Sequence, residues 1–302
     1  MGKKLEGKNA VVTGAGRGIG RAVALGLAAQ GAKVVVCDLG GSKGGEGADQ
    51  GPAAQVVAEI KKAGGVAIPA TESVTDFAAA ERIIKSCVDK FGRIDILVNC
   101  AGILRDRMVF NMSEEEWDAV LTVHLKGTFN MIRHASRLMR EQKWGRIVNT
   151  TSDAWRGSAG QPNYSSAKGG IVSLTYTAAA ELGKYNVTVN AIAPIAATRM
   201  TLDEEVKTRF KMGFEAGMIS PDYYDELINM PGPAYVAPVV AYLCTEEASI
   251  ITGKVIGCGG GRVALYSAPV EIRGLYRDHR KEGPWTVEEL IKMVPKTLMA
   301  QS

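Results

Sequence analysis

The sequence predicts an α/β fold with a single doubly wound parallel sheet that carries helices on both faces. Two observations support this prediction. Short aliphatic runs alternate with longer amphipathic segments along the chain, an order typical of right-handed strand–helix–strand units. The strand-like runs are also continuously apolar, as expected for strands that are buried on both sides.

The predicted elements follow one another from the first strand onwards. Strands are predicted at residues 10–13, 34–37, 66–69, 94–98, 147–150, 187–192 and 255–257. A capping box of Ser113 and Glu116 opens one long helix that runs towards residue 140. The other helices are predicted at residues 18–30, 56–63, 77–91, 164–182, 236–244 and 286–293.

No linker divides residues 1–261, so we expect them to form one domain. Within it, residues 40–51 are rich in glycine and predict a flexible loop. Residues 195–233 have few strand signals and predict an insertion that acts as a substrate lid. Residues 262–302 are predicted to be a C-terminal extension that packs on the domain or on a partner subunit.

Composition limits the classes of function. The chain has 302 residues, of which 46% are hydrophobic, and its net charge of +4 without a basic run argues against nucleic acid. Five cysteines without a Cys-x-x-Cys pair predict no metal site and fit a reducing compartment. No signal segment is visible and no apolar stretch reaches about 18 residues, so we expect a cytoplasmic protein without membrane contact.

A glycine-rich turn, Thr13-Gly14-Ala15-Gly16-Arg17-Gly18-Ile19-Gly20, joins the first strand to the first helix. Glycines allow a tight turn there, and the free N–H groups at the helix start attract a pyrophosphate. In this strand–turn–helix context the motif indicates a dinucleotide site rather than a bare structural turn. The predicted contacts are Gly14, Arg17, Gly18, Ile19 and Gly20.

Asp38 ends the second predicted strand, 18 residues after Gly20. A carboxylate at this place accepts hydrogen bonds from the ribose hydroxyls of the adenosine half and repels a 2′-phosphate. Asp38 therefore predicts NAD as the cofactor. Arg17 points the other way, because an arginine in the turn can pair with that phosphate.

Tyr164 and Lys168 are four residues apart on a predicted helix and so share one face. A free tyrosine, with a pKa of about 10, is a poor base, but a nearby ammonium lowers that pKa. The pair can then take the proton of a hydroxyl while hydride leaves the same carbon. Ser152 follows a strand and can hydrogen-bond the substrate oxygen, and Thr151 is a chemically similar alternative. Taken alone, the Tyr–Lys spacing is also common on helix surfaces.

Together these residues resemble the short-chain dehydrogenase/reductase family, which has a Rossmann fold. The resemblance rests on the glycine turn, Asn99-Cys100-Ala101-Gly102, Ser152, and Tyr164 with Lys168, and it covers about residues 5–261. A narrower resemblance is to the (3R)-hydroxyacyl-CoA dehydrogenase unit of type 2 multifunctional β-oxidation enzymes. It is carried by residues 38–41, 102–106, 123–127, 193–194 and 198–200.

The resemblance implies further cofactor contacts. Ser73 and Val74 would flank the adenine, and Tyr164 and Lys168 would reach the nicotinamide ribose. The remaining implied contacts are Asn99, Ala101 and Gly102 at the adenosine ribose and Pro194, Ile195 and Thr198 near the carboxamide. The resemblance also implies a homodimer or homotetramer.

One position departs from the family pattern. The catalytic asparagine of the family, three residues before Gly127, is His124 here. A histidine can shuttle protons itself, which makes His124 a fourth candidate catalytic residue. It can equally be a packed structural residue, and the sequence leaves both interpretations open.

These observations predict an NAD-dependent dehydrogenase that oxidises a secondary alcohol to a ketone. The expected substrate is a 3-hydroxyacyl-CoA or a related CoA thioester. One alternative is a hydroxysteroid or other hydrophobic-alcohol dehydrogenase, because the same site serves both. Another is a non-catalytic cofactor-binding subunit of a hetero-oligomer, which the intact Tyr164, Lys168 and glycine turn disfavour.

Overall fold

The computed structural model describes residues 3–202 and 204–300, and within them eight strands form one sheet. The strands are β1 (Asn9–Thr13), β2 (Lys33–Cys37), β3 (Ala67–Ala70), β4 (Ile96–Asn99), β5 (Gly145–Thr150), β6 (Val187–Pro194), β7 (Val255–Gly259) and β8 (Arg262–Leu265). Their order is β3-β2-β1-β4-β5-β6-β7-β8, with parallel pairing from β3 to β7. The predicted fold class is thus confirmed.

Helices cover both faces of this sheet. The helices of the described residues are α1 (Gly18–Ala29), α2 (Gly51–Lys62), α3 (Phe77–Phe91), α4 (Glu114–Leu121), α5 (Gly127–Gln142), α6 (Pro162–Leu182), α7 (Glu204–Glu215), α8 (Pro221–Ile228), α9 (Ala237–Leu243), α10 (His279–Glu282) and α11 (Val287–Thr297). Alternate strand residues serve the two layers: Val34 and Val36 pack with α1, α2 and α9, whereas Val35 packs with α3, α5 and α6. The core is therefore two apolar layers separated by the sheet.

Two helices differ from their predicted course. A five-residue π-helical turn, Thr122–Lys126, separates α4 from α5, although the sequence predicts one continuous helix. A π turn inserted in a helix often marks a functional site. Helix α2 begins at Gly51, five residues earlier than predicted, because Pro52 is tolerated in a first turn that needs no N–H donor.

The end of the domain also differs from its prediction. The sequence predicts a last strand at 255–257 and a boundary after Gly261, but β8 follows and pairs antiparallel with β7. The chain divides into two compact units, the first ending at Tyr266 and the second beginning at Ser267. The second unit contains α10 and α11, and the capping box of Thr286 and Glu289 opens α11.

The predicted insertion at 195–233 contains α7 and α8, and the structure adds no strand to its described residues. The strand order reverses between β1 and β4, so their carboxyl ends diverge towards helices on opposite faces. In the described ranges, no helix has both the length and the apolarity to cross a membrane.

Candidate active site

A cleft of about 1040 Å³ lies at the carboxyl ends of the parallel strands, where the strand order reverses. Doubly wound sheets bind their ligands at this place. The cleft brings together most of the residues that the sequence singles out. They are Gly14, Arg17, Gly18, Ile19, Gly20, Asp38, Ser73, Val74, Ala101, Gly102, His124, Ser152, Tyr164, Lys168, Pro194 and Thr198.

Several glycines of the turn leave no room for a Cβ atom. Gly14 has φ +63°, and a Cβ on it would lie 2.8 Å from the backbone of Ala101. A Cβ on Gly20 would lie 2.1 Å from the carbonyl oxygen of Gly14. The first turn of α1 has no side-chain cap and no acidic residue, so its N–H groups are available to an anion. The turn fits the pyrophosphate of a dinucleotide.

Asp38 is held in a fixed position on the wall of the cleft. Its Oδ2 accepts the N–H of Gly16 at 2.7 Å, and its Oδ1 accepts the N–H of Gly40 at 2.7 Å. A side chain at Gly16 would collide with this carboxylate, at 2.9 Å from Oδ2. The turn and Asp38 therefore fit each other, and the carboxylate is prepositioned for a ligand that carries hydroxyl groups.

The glycine-rich loop after β2 is fastened to the same wall. The guanidinium groups of Arg17 and Arg199 both donate to the carbonyl of Gly41, at 3.3 and 3.2 Å. The N–H of Leu104 donates to the carbonyl of Lys43 at 3.0 Å. The sequence indicates a loop here, and the structure shows hydrogen bonds from three separate segments to its backbone.

Two expected cofactor contacts do not line the cleft. Asn99 is buried, and its Nδ2 donates to Oδ1 of its cross-strand neighbour Asn149 at 2.9 Å. It ties β4 to β5 beneath the cleft. Ile195 lies between Pro194 and Ala196, which do line the cleft, and successive residues of an extended chain point to opposite sides.

Ser152, Tyr164 and Lys168 meet at the centre of the cleft. Helix α6 carries Tyr164 and Lys168 on one face. Ser152 lies two residues after the end of β5. The Ser152 side chain lies close to Tyr164 and favours the ionised form of the phenol. Nζ of Lys168 donates to the carbonyl of Thr150 at 2.6 Å and lies 5.4 Å from the Tyr164 ring centroid. The Thr151 hydroxyl instead donates to the Lys168 carbonyl at 3.0 Å, so Ser152 is the better-placed hydroxyl.

Burial governs the electrostatics of this trio. It lowers the pKa of Lys168 to about 7 and raises the pKa of Tyr164 above its ordinary value, a rise that Ser152 opposes. The sequence predicts that the Lys168 ammonium lowers the Tyr164 pKa. The structure instead raises it, because desolvation is the largest effect on Tyr164 and Lys168 is not among the groups that shift its pKa.

His124 lies in the π-helical turn, buried, with its ring edge-on to Tyr164 at 5.2 Å between centroids. Burial, and secondarily the charge of Lys168, lowers the pKa of His124 to about 3. The imidazole is therefore neutral at physiological pH. This argues against an imidazolium that shuttles protons.

A further part of the site is not predicted from sequence. The turn after Ser152 is anchored by Tyr266, the residue that follows β8. Its hydroxyl donates to Asp153, and its ring lies edge-on to Trp155 at 6.2 Å between centroids. The guanidinium of Arg156 lies 5.4 Å from the same ring. Because Asp153 and Arg156 line the cleft, Tyr266 sets one wall of it from outside the predicted domain.

The predicted lid segment lines the cleft with four apolar side chains, Met200, Val206, Phe210 and Met230, which we call the apolar wall. It also contributes the polar side chains of Thr198, Arg199 and Thr201. The cleft therefore combines a polar catalytic centre with an apolar surface. Such a site suits a substrate that has a polar reacting group and an apolar portion.

Comparison with known proteins agrees with this geometry. The short chain dehydrogenase family matches residues 8–208. A hydroxyacyl-CoA dehydrogenase of Mycobacterium tuberculosis, ChsB1, is 41% identical over 278 residues, which are 88% of this chain and 81% of that protein. The crystal structure of a short chain dehydrogenase from Mycobacterium avium has a TM-score of 0.81 and 41% identity, over 99% of this chain and 97% of that one.

The narrower resemblance is also confirmed. A peroxisomal multifunctional enzyme type 2 of Drosophila melanogaster is 46% identical over 245 residues. The match covers 81% of this chain but 38% of that enzyme. The similarity therefore concerns one unit of the larger protein.

Proposed function

Because this chain belongs to the short-chain dehydrogenase/reductase family and is an oxidoreductase, we propose that it oxidises a secondary alcohol to a ketone with NAD. The substrate we propose is a 3-hydroxyacyl-CoA or a related CoA thioester. The observation that carries the proposal is that Ser152, Tyr164 and the buried Lys168 meet in the same cleft as the glycine turn.

The glycine turn would hold the pyrophosphate, and Asp38 would accept the ribose hydroxyls of the adenosine half. NAD⁺, when bound, would be the oxidant, because it accepts the carbinol hydrogen as hydride. Asp38 supports NAD over NADP, because its fixed carboxylate would face the extra phosphate of NADP. Arg17 and Arg199 are the groups that would favour NADP, but both donate to the carbonyl of Gly41.

Each residue of the trio has one task in this reaction. Ser152 donates a hydrogen bond to the substrate oxygen and orients it. Tyr164, as phenolate, takes the hydroxyl proton while the C–H electron pair leaves with the hydride, and the carbon–oxygen bond becomes a carbonyl. Lys168 stands beside Tyr164, and its ammonium form would favour the phenolate.

The substrate class is supported by the named activity of ChsB1 and by the apolar wall. A flexible acyl chain fits a wall that contains two methionines, because methionine adapts to irregular apolar shapes. A hydroxysteroid would use the same wall. The compartment and the oligomeric state stay predictions, and the Drosophila relative is by its name peroxisomal.

Reduction of NAD⁺ and NADP⁺ should be followed with wild-type protein over CoA-thioester alcohols, free hydroxy acids and hydroxysteroids. We expect the CoA thioesters with NAD⁺ to give the highest kcat/KM. Tyr164→Phe should lower kcat by about 1000-fold, because it removes the acid–base group. Tyr176→Phe, on the same helix, is the matched control. Undiminished turnover in Tyr164→Phe would refute the mechanism, and faster turnover of a hydroxysteroid would refute the substrate class.

A further inference from the structure

The ring of His124 is fitted to the backbone in front of it. Its Nδ1–Cε1–Nε2 edge faces Gly102, and a Cβ on Gly102 would lie 2.3 Å from Cε1. The position after Cys100 and Ala101 is thus open to glycine alone while the imidazole is present. His124 and Gly102 form one packed contact at the junction of the predicted cofactor and substrate regions.

The hydrogen bonds of His124 go to the main chain. Nε2 lies 3.0 Å from the N–H nitrogen of Ile103 and 2.8 Å from the Ile103 carbonyl oxygen. In one neutral tautomer Nε2 accepts from the N–H, and in the other it donates to the carbonyl. An imidazolium would also carry an N–H on Nδ1, for which the described residues offer no acceptor. The geometry therefore favours a neutral ring.

Nδ1 is buried and has no hydrogen-bond partner among the described residues. A ring that relays a proton needs a partner on each nitrogen. The groups that face the ring from α6 are the Tyr164 phenol, edge-on at 5.2 Å between centroids, and the charge of Lys168. Neither forms a hydrogen bond with Nδ1.

Ile103 is a point where several parts of the site meet. Its side chain is buried in the same cluster as Tyr164. The next residues hold the glycine-rich loop: Leu104 N–H donates to the Lys43 carbonyl, and Nε of Arg105 donates to the Gly44 carbonyl, both at 3.0 Å. Displacing Ile103 would therefore disturb the loop on the cofactor side as well as the surroundings of Tyr164.

We propose that His124 is a positioning residue that remains neutral during turnover and, through its contact with Ile103, holds the segment 102–105 between the cofactor and the catalytic tyrosine. This inference rests on the proposed function for its kinetic consequences. The contact itself does not depend on the identity of the substrate.

Two variants of similar volume separate positioning from proton transfer. In His124→Gln the terminal amide reaches towards Ile103 with both an acceptor and a donor. Unlike the imidazole, the amide does not titrate and cannot act as an acid or a base. His124→Leu removes both nitrogens. His134→Gln is the control, because His134 is also buried on the adjoining helix but packs against Phe77, with ring centroids 4.3 Å apart and the rings inclined at 56°.

Three readouts are needed for each variant: the dissociation constant of NADH by fluorescence titration, kcat and KM across pH, and urea unfolding. We expect His124→Leu to weaken NADH binding about tenfold and to lower kcat/KM about 100-fold, because buried backbone groups lose their partner. We expect His124→Gln to retain kcat/KM within about fivefold of wild type, with an unchanged pH profile. His134→Gln should leave both kinetics and binding as in wild type.

A loss in His124→Gln as large as that in His124→Leu, or a pH profile that lacks a limb of the wild-type profile, would overturn the proposal in favour of proton transfer. If His124→Leu does not fold, the kinetics of His124→Gln still decide. If the wild type turns over no alcohol, the proposed function fails, but the NADH titration still compares the variants. An unchanged NADH affinity in a folded His124→Leu would then overturn the positioning role.

Discussion

At the amino ends of the central strands the sheet is closed by a buried arginine, whereas at their carboxyl ends it opens into the cleft. Arg146, near the start of β5, is fully buried, and its Nε donates to the carbonyl of Thr245. Nη1 donates to the carbonyls of Gly145 and Asn186, and Nη2 donates to Glu246. All three guanidinium nitrogens thus have partners.

Aromatic packing completes the closed end. The Arg146 guanidinium lies 4.5 Å from the ring centroid of Trp144, and Nζ of Lys8 lies 3.6 Å from the same centroid. The Trp144 Nε1 donates to Glu246 at 2.8 Å. A buried cation with a hydrogen-bond partner at each of its three nitrogens stabilises the fold rather than binding a ligand.

At the open end the buried cation is Lys168, whose Nζ donates to the carbonyl of Thr150 and lies in the cleft beside Tyr164. Burial lowers the pKa of Lys168 to about 7. The two ends thus use a buried cation differently: Arg146 stabilises the fold, whereas Lys168 lies among the groups that meet in the cleft.

The largest change in stability is expected for Arg146, at the closed end. Arg146→Met should lower the free energy of unfolding by about 3 kcal/mol, because several buried carbonyls lose their donor. The kcat should stay close to that of wild type, since the cleft lies at the other edge. Urea unfolding and steady-state kinetics measure the two effects. Arg137→Met, at an exposed position on α5, is the control and should change neither. A large loss of kcat in folded Arg146→Met would contradict the conclusion that Arg146 serves stability alone.

The next effect concerns His124, which lies at the open end yet influences stability. Its folded pKa of about 3 lies below the ordinary 6.5, so the unfolded chain binds the proton more tightly and stability falls as pH falls between these values. Between pH 7 and pH 5 this group should cost the wild type about 2 kcal/mol that His124→Gln does not lose.

Urea unfolding of both proteins at the two pH values measures the difference. His124→Leu should likewise lose less unfolding free energy than wild type between pH 7 and pH 5, because it too lacks the titrating group. Parallel changes in wild type and variants would mean that the imidazole is not held neutral by the fold.

The smallest effect sharpens the description of the open end. Asp38→Asn should narrow the preference for NAD over NADP about tenfold, because the amide no longer repels the 2′-phosphate. It should lower the free energy of unfolding by less than about 1 kcal/mol, since the amide oxygen still accepts one backbone N–H. Asp49→Asn, in the same loop, is the control. An unchanged cofactor ratio would remove Asp38 from the selectivity of the site.

The sequence predicts those parts of the fold and site whose signals are local. The glycine turn, Asp38 and the Tyr164–Lys168 pair each lie within a few residues of a strand or helix boundary, and the structure brings them into one cleft. The π-helical turn around His124 has no such signal, since its residues suit an ordinary α-helix equally well.

Other features depend on contacts between distant segments. Strand β8 has four mostly exposed residues, so it has no apolar pattern that predicts a strand. It is a strand because its backbone pairs with β7. Tyr266 comes directly after β8, so its place beside the cleft is likewise not predicted without the pairing of β7 and β8. Asn99 matches the family pattern, but its side chain turns towards Asn149 on the neighbouring strand, a contact that only the sheet register reveals.

The contact between Gly102 and His124 also constrains how this chain can evolve. Because a methyl group on Gly102 would overlap the imidazole, Gly102→Ala is tolerated only after position 124 has become smaller. Replacements at the two positions are therefore expected to show strong epistasis in folding. A paired library at positions 102 and 124 should yield folded clones with alanine at 102 only where the residue at 124 is smaller than histidine.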